Sequence, residues 1–246
     1  VSSQAASNGF MEDADLQLFN RNFAFYRDYN HGASNQNYTN EWAHGFMTTF
    51  TSGFTQGVVG FGFDAFGQVG VALNTGPGIG GTGLLPGDGS KPNNTLNSKG
   101  KPASYAGQSE YGLAGGAVKA RISETTLAFG QQRPASPVFA TGDSRLLPSW
   151  ATGTSIASDE ITDLHIQGGH FYSGSGSAST NQDGILQSVY GETEFNTADY
   201  VGGDYAITDD VGFGLHASKY EDLWNQYYAG FHTHWDLGDG ITLGTS

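Results

Sequence analysis

What this sequence lacks narrows its identity before any motif is considered. Cysteine is absent, which excludes a disulfide framework and any thiolate nucleophile or metal ligand. Lysine and arginine number ten against 24 acidic residues, for a net charge of −14; so thin a scatter of cations gives no contiguous basic surface for nucleic acid. No window approaches the eighteen or so uninterrupted apolar residues of a membrane-spanning helix, and mean hydropathy is −0.36. Those figures leave a membrane β-barrel open, because barrel strands show lipid only every second side chain. The first residues, Val1-Ser-Ser-Gln-Ala-Ala-Ser7, have neither a basic region nor an apolar core, so a mature chain with any secretion signal removed is expected.

Glycine and aromatic side chains are plentiful. With 38 glycines, 12 tyrosines and 16 phenylalanines, long helices are disfavoured by backbone entropy and strands are favoured by aromatic propensity. Period-two alternation predicts strands over Asp15–Tyr29, Glu41–Gly53, Thr55–Leu73, Tyr111–Ile122, Thr125–Gln132, Glu160–Tyr172, Ile185–Asn196, Ala198–Thr208, Val211–Tyr220 and Trp224–Leu237, with the start of an eleventh at Gly240. From Asn74 to Gly107 no periodicity survives, and a mobile surface excursion is expected there. Many strands reach ten residues, nearer a tilted bilayer crossing than an ordinary sandwich strand. Short and long connections alternate, and Trp42, Tyr172 and Trp224 are among the aromatics near strand ends. An all-β transmembrane barrel is therefore favoured, with a secreted β-sandwich that binds carbohydrate as the alternative.

Between two of these strands runs Pro134-Ala-Ser-Pro-Val-Phe-Ala-Thr-Gly-Asp-Ser-Arg-Leu-Leu-Pro148. Proline donates no backbone hydrogen bond, so this piece must leave the ladder as an ordered loop, taken as about 134–158. Its centre sets an acid, a hydroxyl and a base side by side at Asp143, Ser144 and Arg145.

Three segments carry a resemblance: Arg21-Asn-Phe-Ala-Phe-Tyr-Arg-Asp28, the run from Glu41-Trp-Ala-His-Gly-Phe46 through Ser52-Gly-Phe-Thr-Gln-Gly57 to Gly67, and Asp143-Ser-Arg-Leu-Leu-Pro148. They resemble the OprD-type (Occ) substrate-specific outer-membrane porins of Gram-negative bacteria. The resemblance implies an eighteen-stranded barrel in the outer membrane, in contact with its lipid and lipopolysaccharide. A loop folds inward to form an eyelet through which small water-soluble nutrients, amino acids or small carboxylates, diffuse passively. Carried onto this chain, the eyelet falls on Asp143, Ser144 and Arg145, and wall positions on Arg21 and Arg27 with Phe23 between them. A channel of this kind needs no enzyme chemistry, cofactor or metal. A homotrimer and a monomer are both compatible with it.

This chain departs from that pattern in two ways. About ten countable strands imply the N-terminal portion of a longer single barrel, a ten-stranded closed barrel being the alternative. Gly169-His170-Phe171 and Ser158-Asp159-Glu160 stand where arginines are common, so the arginine ladder is thinner and the charge preference of the solute is left open.

Opposite charges across a narrow lumen orient a dipolar solute. Arg21 and Arg27 share one strand face by parity, and Lys119 and Arg121 share another, which makes both pairs pore-lining candidates. The bland alternatives are that these cations pair with neighbouring carboxylates, and that Asp143 and Arg145 only pin the loop. Gly142-Asp-Ser-Arg-Leu146 also invites a serine-hydrolase reading, with a histidine as base. A nucleophile of that sort sits on a turn into a helix, and Leu147-Pro148 offers none. His232-Thr-His234 places two imidazoles on one strand face without a clear third ligand for zinc.

Overall fold

The computed structural model describes residues 2–28, 38–74, 79–87, 106–182, 184, 186–187, 194–236 and 242–245. Its strands are β1 (Asp15–Asp28), β2 (Tyr38–Thr51), β3 (Val59–Ala72), β4 (Glu110–Ile122), β5 (Thr125–Gln132), β6 (Ala135–Ser136), β7 (Phe139–Ala140), β8 (Trp150–Ile161), β9 (Leu164–Ser175), β10 (Leu186–Gln187), β11 (Glu194–Phe195), β12 (Ala198–Thr208), β13 (Val211–Tyr220), β14 (Trp224–Asp236) and β15 (Thr242–Thr245). Eleven of them form one antiparallel meander in the order β1-β2-β3-β4-β5-β8-β9-β12-β13-β14-β15. Consecutive strands pair because two- and seven-residue turns at one end return the chain directly to its neighbour. Among the described residues β1 and β15 each have a single sheet neighbour.

The register sorts side chains cleanly. Leu18, Trp42, Phe46, Phe61, Val118, Phe129, Val201, Leu215 and Phe231 fall on one face by pairing and parity, and all are exposed. Apolar exposure over a whole sheet face marks a surface meant for something other than water. It also displaces the sandwich alternative, since in a sandwich that apolar face would be buried against a second sheet. The opposite, inner face carries Arg21, Phe23, Glu41, Gly45, Gly70, Tyr111, Lys119, Tyr200 and His216.

Several expected boundaries are corrected. Glu160–Tyr172 is not one strand. Trp150–Ile161 and Leu164–Ser175 are two strands hinged at Thr162-Asp163, where Asp163 takes a φ of +64°, a conformation aspartate tolerates better than most residues. The small side chains of Ala151-Thr-Gly-Thr-Ser155 hid β8 from a reading that looks for large alternating residues. The proline loop consequently ends at Ser149 rather than 158. Within Ile185–Asn196 the described strands are only Leu186–Gln187 and Glu194–Phe195, which pair with each other off the main sheet; 185 and 188–193 lie outside the described residues. β3 begins at Val59, after a seven-residue turn. The predicted mobile excursion after β3 holds an ordered inner-face segment at 79–87, with Leu84 and Leu85 buried.

Candidate constriction site

Pro134–Pro148 turns onto the inner face of the sheet and is fixed there at both ends. On one side Val138 and Phe139 enter an apolar cluster with Phe171, Ala198, Tyr200 and Tyr220, residues of β9, β12 and β13. The Val138 carbonyl accepts from the Tyr220 hydroxyl at 2.6 Å and from the Ser218 hydroxyl at 3.0 Å. On the other side Leu146 and Leu147, both fully buried, pack with Ala43, Leu84, Leu85 and Tyr111. Their seat is made by two glycines opposite each other in β2 and β3. A Cβ on Gly45 would stand 3.0 Å from Leu147 Cδ2, and one on Gly70 2.8 Å from Leu146 Cδ2. Each leucine contributes roughly 1.5–3 kcal/mol by leaving water. The loop's return is secured by Gln68, whose amide donates to the Pro148 carbonyl at 3.2 Å and whose oxygen accepts from the Trp150 indole at 3.0 Å. Trp150 stacks on Phe66 with ring centroids 3.5 Å apart.

Suspended between these anchors is the charged centre of the loop. Arg21 donates to Asp143 Oδ1 at 2.8 Å and also to the carbonyl of Arg145. Arg133 reaches the other carboxylate oxygen at 3.2 Å. Partial burial pushes the Asp143 carboxyl up, but the hydrogen bonds and charges of Arg21 and Arg133 outweigh it and hold the group below the usual carboxylate range. The Arg145 guanidinium lies 5.7 Å from the Phe25 ring centroid, and that of Arg27 5.3 Å from the same ring, within cation–π range. Ser144 is exposed, and its carbonyl accepts from Arg145 at 3.3 Å. Phe23 is half-buried in the apolar cluster beneath the loop, stacked on Phe25.

Lys119 and Arg121 do share the inner face, as their parity requires, but they sit apart from this cluster at the short-turn end. Lys119 donates to Asp64 at 2.6 Å and to the Ser52 carbonyl at 2.8 Å. Arg121 holds Gln4 and the Ser3 carbonyl, each at 3.0 Å. Both cations lie over the Phe54 ring, tying the N-terminal segment beneath the turns. His170 falls on the outer face, 2.7 Å from Asp199. Sequence reasoning missed Arg133, whose one available signal was a cation at the mouth of a proline-bounded loop.

The profile of the outer membrane porins of the OprD family matches residues 8–246. The chain belongs to the OprD family. It is 42% identical over 228 residues to Porin D of Pseudomonas aeruginosa, an alignment covering 93% of this chain and 48% of that protein. Among solved structures, OccAB1 of Acinetobacter baumannii superposes with a TM-score of 0.82 at 25% identity, over 99% of this chain and 53% of that one. OpdK of Pseudomonas aeruginosa, solved with vanillate, gives 0.75 at 32% identity, over 96% and 56%. The chain thus spans about half the length of the relatives it matches. Membership places it in the outer membrane and makes the eleven-stranded meander wall of a β-barrel porin, its exposed apolar face the lipid-facing belt. The relatives are porins, channels rather than enzymes.

Proposed function

We propose that this chain supplies one side of a substrate-selective outer-membrane channel, passing small water-soluble nutrients by passive diffusion, with the Pro134–Pro148 loop as its constriction. The observation that carries this is the pairing of two guanidiniums, Arg21 and Arg133, with the single carboxylate of Asp143, two residues before Arg145, whose own guanidinium lies by the Phe25 ring. Such a cluster has more cation than it can internally neutralise. Arg27 adds another guanidinium on the same strand face, with no carboxylate partner among the described residues.

A surplus of guanidinium groups laid over aromatic rings favours a solute with a carboxylate next to a flat or apolar body. Small carboxylates, including the carboxylate end of amino acids, are therefore the substrate class. OpdK, whose structure holds the aromatic carboxylate vanillate, is a relative consistent with that choice. Roles follow from geometry: Arg145 and Arg27 meet the solute, Arg21 and Arg133 fix Asp143, and Asp143 sets the local field. Ser144 is an exposed eyelet hydroxyl, and no hydrolytic role is given to it. Lys119 and Arg121 are structural ties of the turn end.

The test is single-channel recording of the full-length protein, with uptake of a small solute panel into liposomes. Arg145→Ala is expected to lower anion preference and benzoate-type uptake. Unchanged current together with unchanged selectivity would remove the loop from the role assigned to it.

A further inference from the structure

The inner face carries a second inward segment, residues 79–87, fixed to the wall as closely as the proline loop. The Asn40 amide donates to the Ile79 carbonyl at 2.8 Å. The Thr82 amide donates to Glu41 Oε2 at 2.9 Å, and the Thr82 hydroxyl donates to the same oxygen. Further along, the Leu84 carbonyl accepts from the Tyr111 hydroxyl at 3.2 Å, the Pro86 carbonyl accepts from the Gln108 amide at 2.8 Å, and Gly87 bridges to Gly107.

Glu41 is the unusual member of this set. It is 2% exposed, and its second oxygen, Oε1, has no hydrogen-bond partner among the described residues. Burying a carboxylate with so few donors is unfavourable, so the group is costly unless what it holds matters. It holds Thr82, the residue before Gly83. Gly83 has a φ of +78°, and a Cβ there would lie 3.6 Å from Arg145 Nε. The segment's backbone therefore runs alongside the Arg145 guanidinium, which has the Phe25 ring near it as well. Leu84 and Leu85 follow at once and join Leu146 and Leu147 in one apolar cluster. The same strap thus touches the residues on both sides of the loop's Arg145–Leu146 bond.

We infer that Glu41 is a positioning residue of the constriction: by clasping Thr82 it holds the 79–87 strap against Arg145 and sets where that guanidinium stands. The inference rests on the channel reading above, and deepens it by making the constriction a two-segment device.

The experiment is a double-mutant cycle on the full-length protein in planar bilayers, reading anion-to-cation permeability from reversal potentials in a KCl gradient. Heat-modifiable gel migration reports that each barrel has assembled. Glu41→Ala is expected to lower anion preference in the direction of Arg145→Ala, by up to about fivefold for one displaced unit charge. Glu41→Gln is expected to keep an anion preference at or above the wild-type value, because its amide oxygen still accepts from Thr82 while one negative charge is lost. The double variant Glu41→Ala/Arg145→Ala is expected to match Arg145→Ala alone.

A Glu41→Ala shift of equal size in the Arg145→Ala background overturns the inference. So does an unshifted Glu41→Ala channel, or a Glu41→Gln channel whose anion preference falls as far as that of Glu41→Ala. Failure of the channel reading looks different: wild type would show no selective conductance, or Arg145→Ala would equal wild type. If Glu41→Ala does not assemble, Gly83→Val keeps the carboxylate while crowding Arg145 from the strap, and it must reproduce the shift or the inference fails.

Discussion

Replacing Asp143 with asparagine changes the charge of the constriction while leaving the apolar anchors of the loop intact. In the wild-type cluster two guanidiniums, Arg21 and Arg133, pair with one carboxylate, a sum of 2 − 1 = +1; Asp143→Asn makes it +2. The Asp143 side chain is 36% exposed, so water screens it, and each ion pair contributes no more than about 1 kcal/mol to holding the loop. The loop stays in place. At about 4 Å in water one unit charge acts on a passing ion with about 1 kcal/mol, which is about fivefold in partitioning. Reversal potentials of the full-length channel in a KCl gradient near 0.1 M should therefore move toward anions by roughly that factor. At 1 M, where the screening length falls to about 3 Å, most of the shift should vanish. The pH dependence has a definite sign. The folded carboxyl lies below its ordinary value, so the charged pair is fully present above about pH 4 and is lost as pH falls through the lowered value. The difference between wild type and Asp143→Asn should be constant above about pH 4 and shrink below it. A difference that is absent at 0.1 M salt, or equally large at 1 M, refutes the placement of Asp143 in the conducting path.

Leu147→Ala should loosen the loop without unfolding the barrel wall, because the side chain is fully buried against Gly45 and such truncations cost about 2–5 kcal/mol. The readout is faster trypsin cleavage after Arg145 in assembled barrels, together with a wider, noisier conductance; cleavage at the wild-type rate counts against the docking. Phe129→Arg puts a charge on the outer face, where the ring is 52% exposed, and near mid-depth should destabilise the membrane-inserted state by roughly 2–4 kcal/mol. Urea titration of the refolded protein in liposomes checks it, and an unchanged midpoint would mean that this face does not meet lipid.

Much of the wall was legible from alternation alone, because strands with one lipid-facing and one inner face announce their period in large side chains. Val59, Phe61 and Phe63 against Gly60, Gly62 and Asp64 is such a signal, and the register confirms it. β8 was illegible for the converse reason. Ala151, Gly153, Ser155 and Ala157 share the inner face, where the incoming loop leaves little room, so the strand lacks the bulky residues that reveal a period. The inward course of the proline loop was foreseeable only through the family resemblance. Prolines say that a loop leaves the sheet; the glycines that receive Leu146 and Leu147 lie some eighty to a hundred residues away in sequence and are visible only when the strands are paired. The strap at 79–87 was lost for the same reason, since its anchor, Glu41, belongs to a different strand and looks in sequence like an ordinary strand acid.

Overall charge and the charge beside the loop differ in sign. The chain carries a net charge of −14, yet two arginines, Arg21 and Arg133, meet at the one carboxylate of Asp143 in the loop. Many of the acids sit elsewhere: Glu124, Glu160, Asp163, Asp209, Asp210, Glu221 and Asp222 crowd the turns and strand ends, where they face water on either side of the membrane. Glu124 shows how such acids are used. Hydrogen bonds from the Ser3 hydroxyl and amide hold its carboxyl below the ordinary range, binding the N-terminal segment to a turn instead of addressing a solute. A field acts over about one screening length, near 10 Å at 0.1 M salt, so acids farther than that from Asp143 are largely screened there, while Arg21 and Arg133 pair with its carboxylate directly. On the proposed reading, what selects a solute is the charge within that radius, and the ion-paired cluster there, two guanidiniums to one carboxylate, has the opposite sign from the chain as a whole.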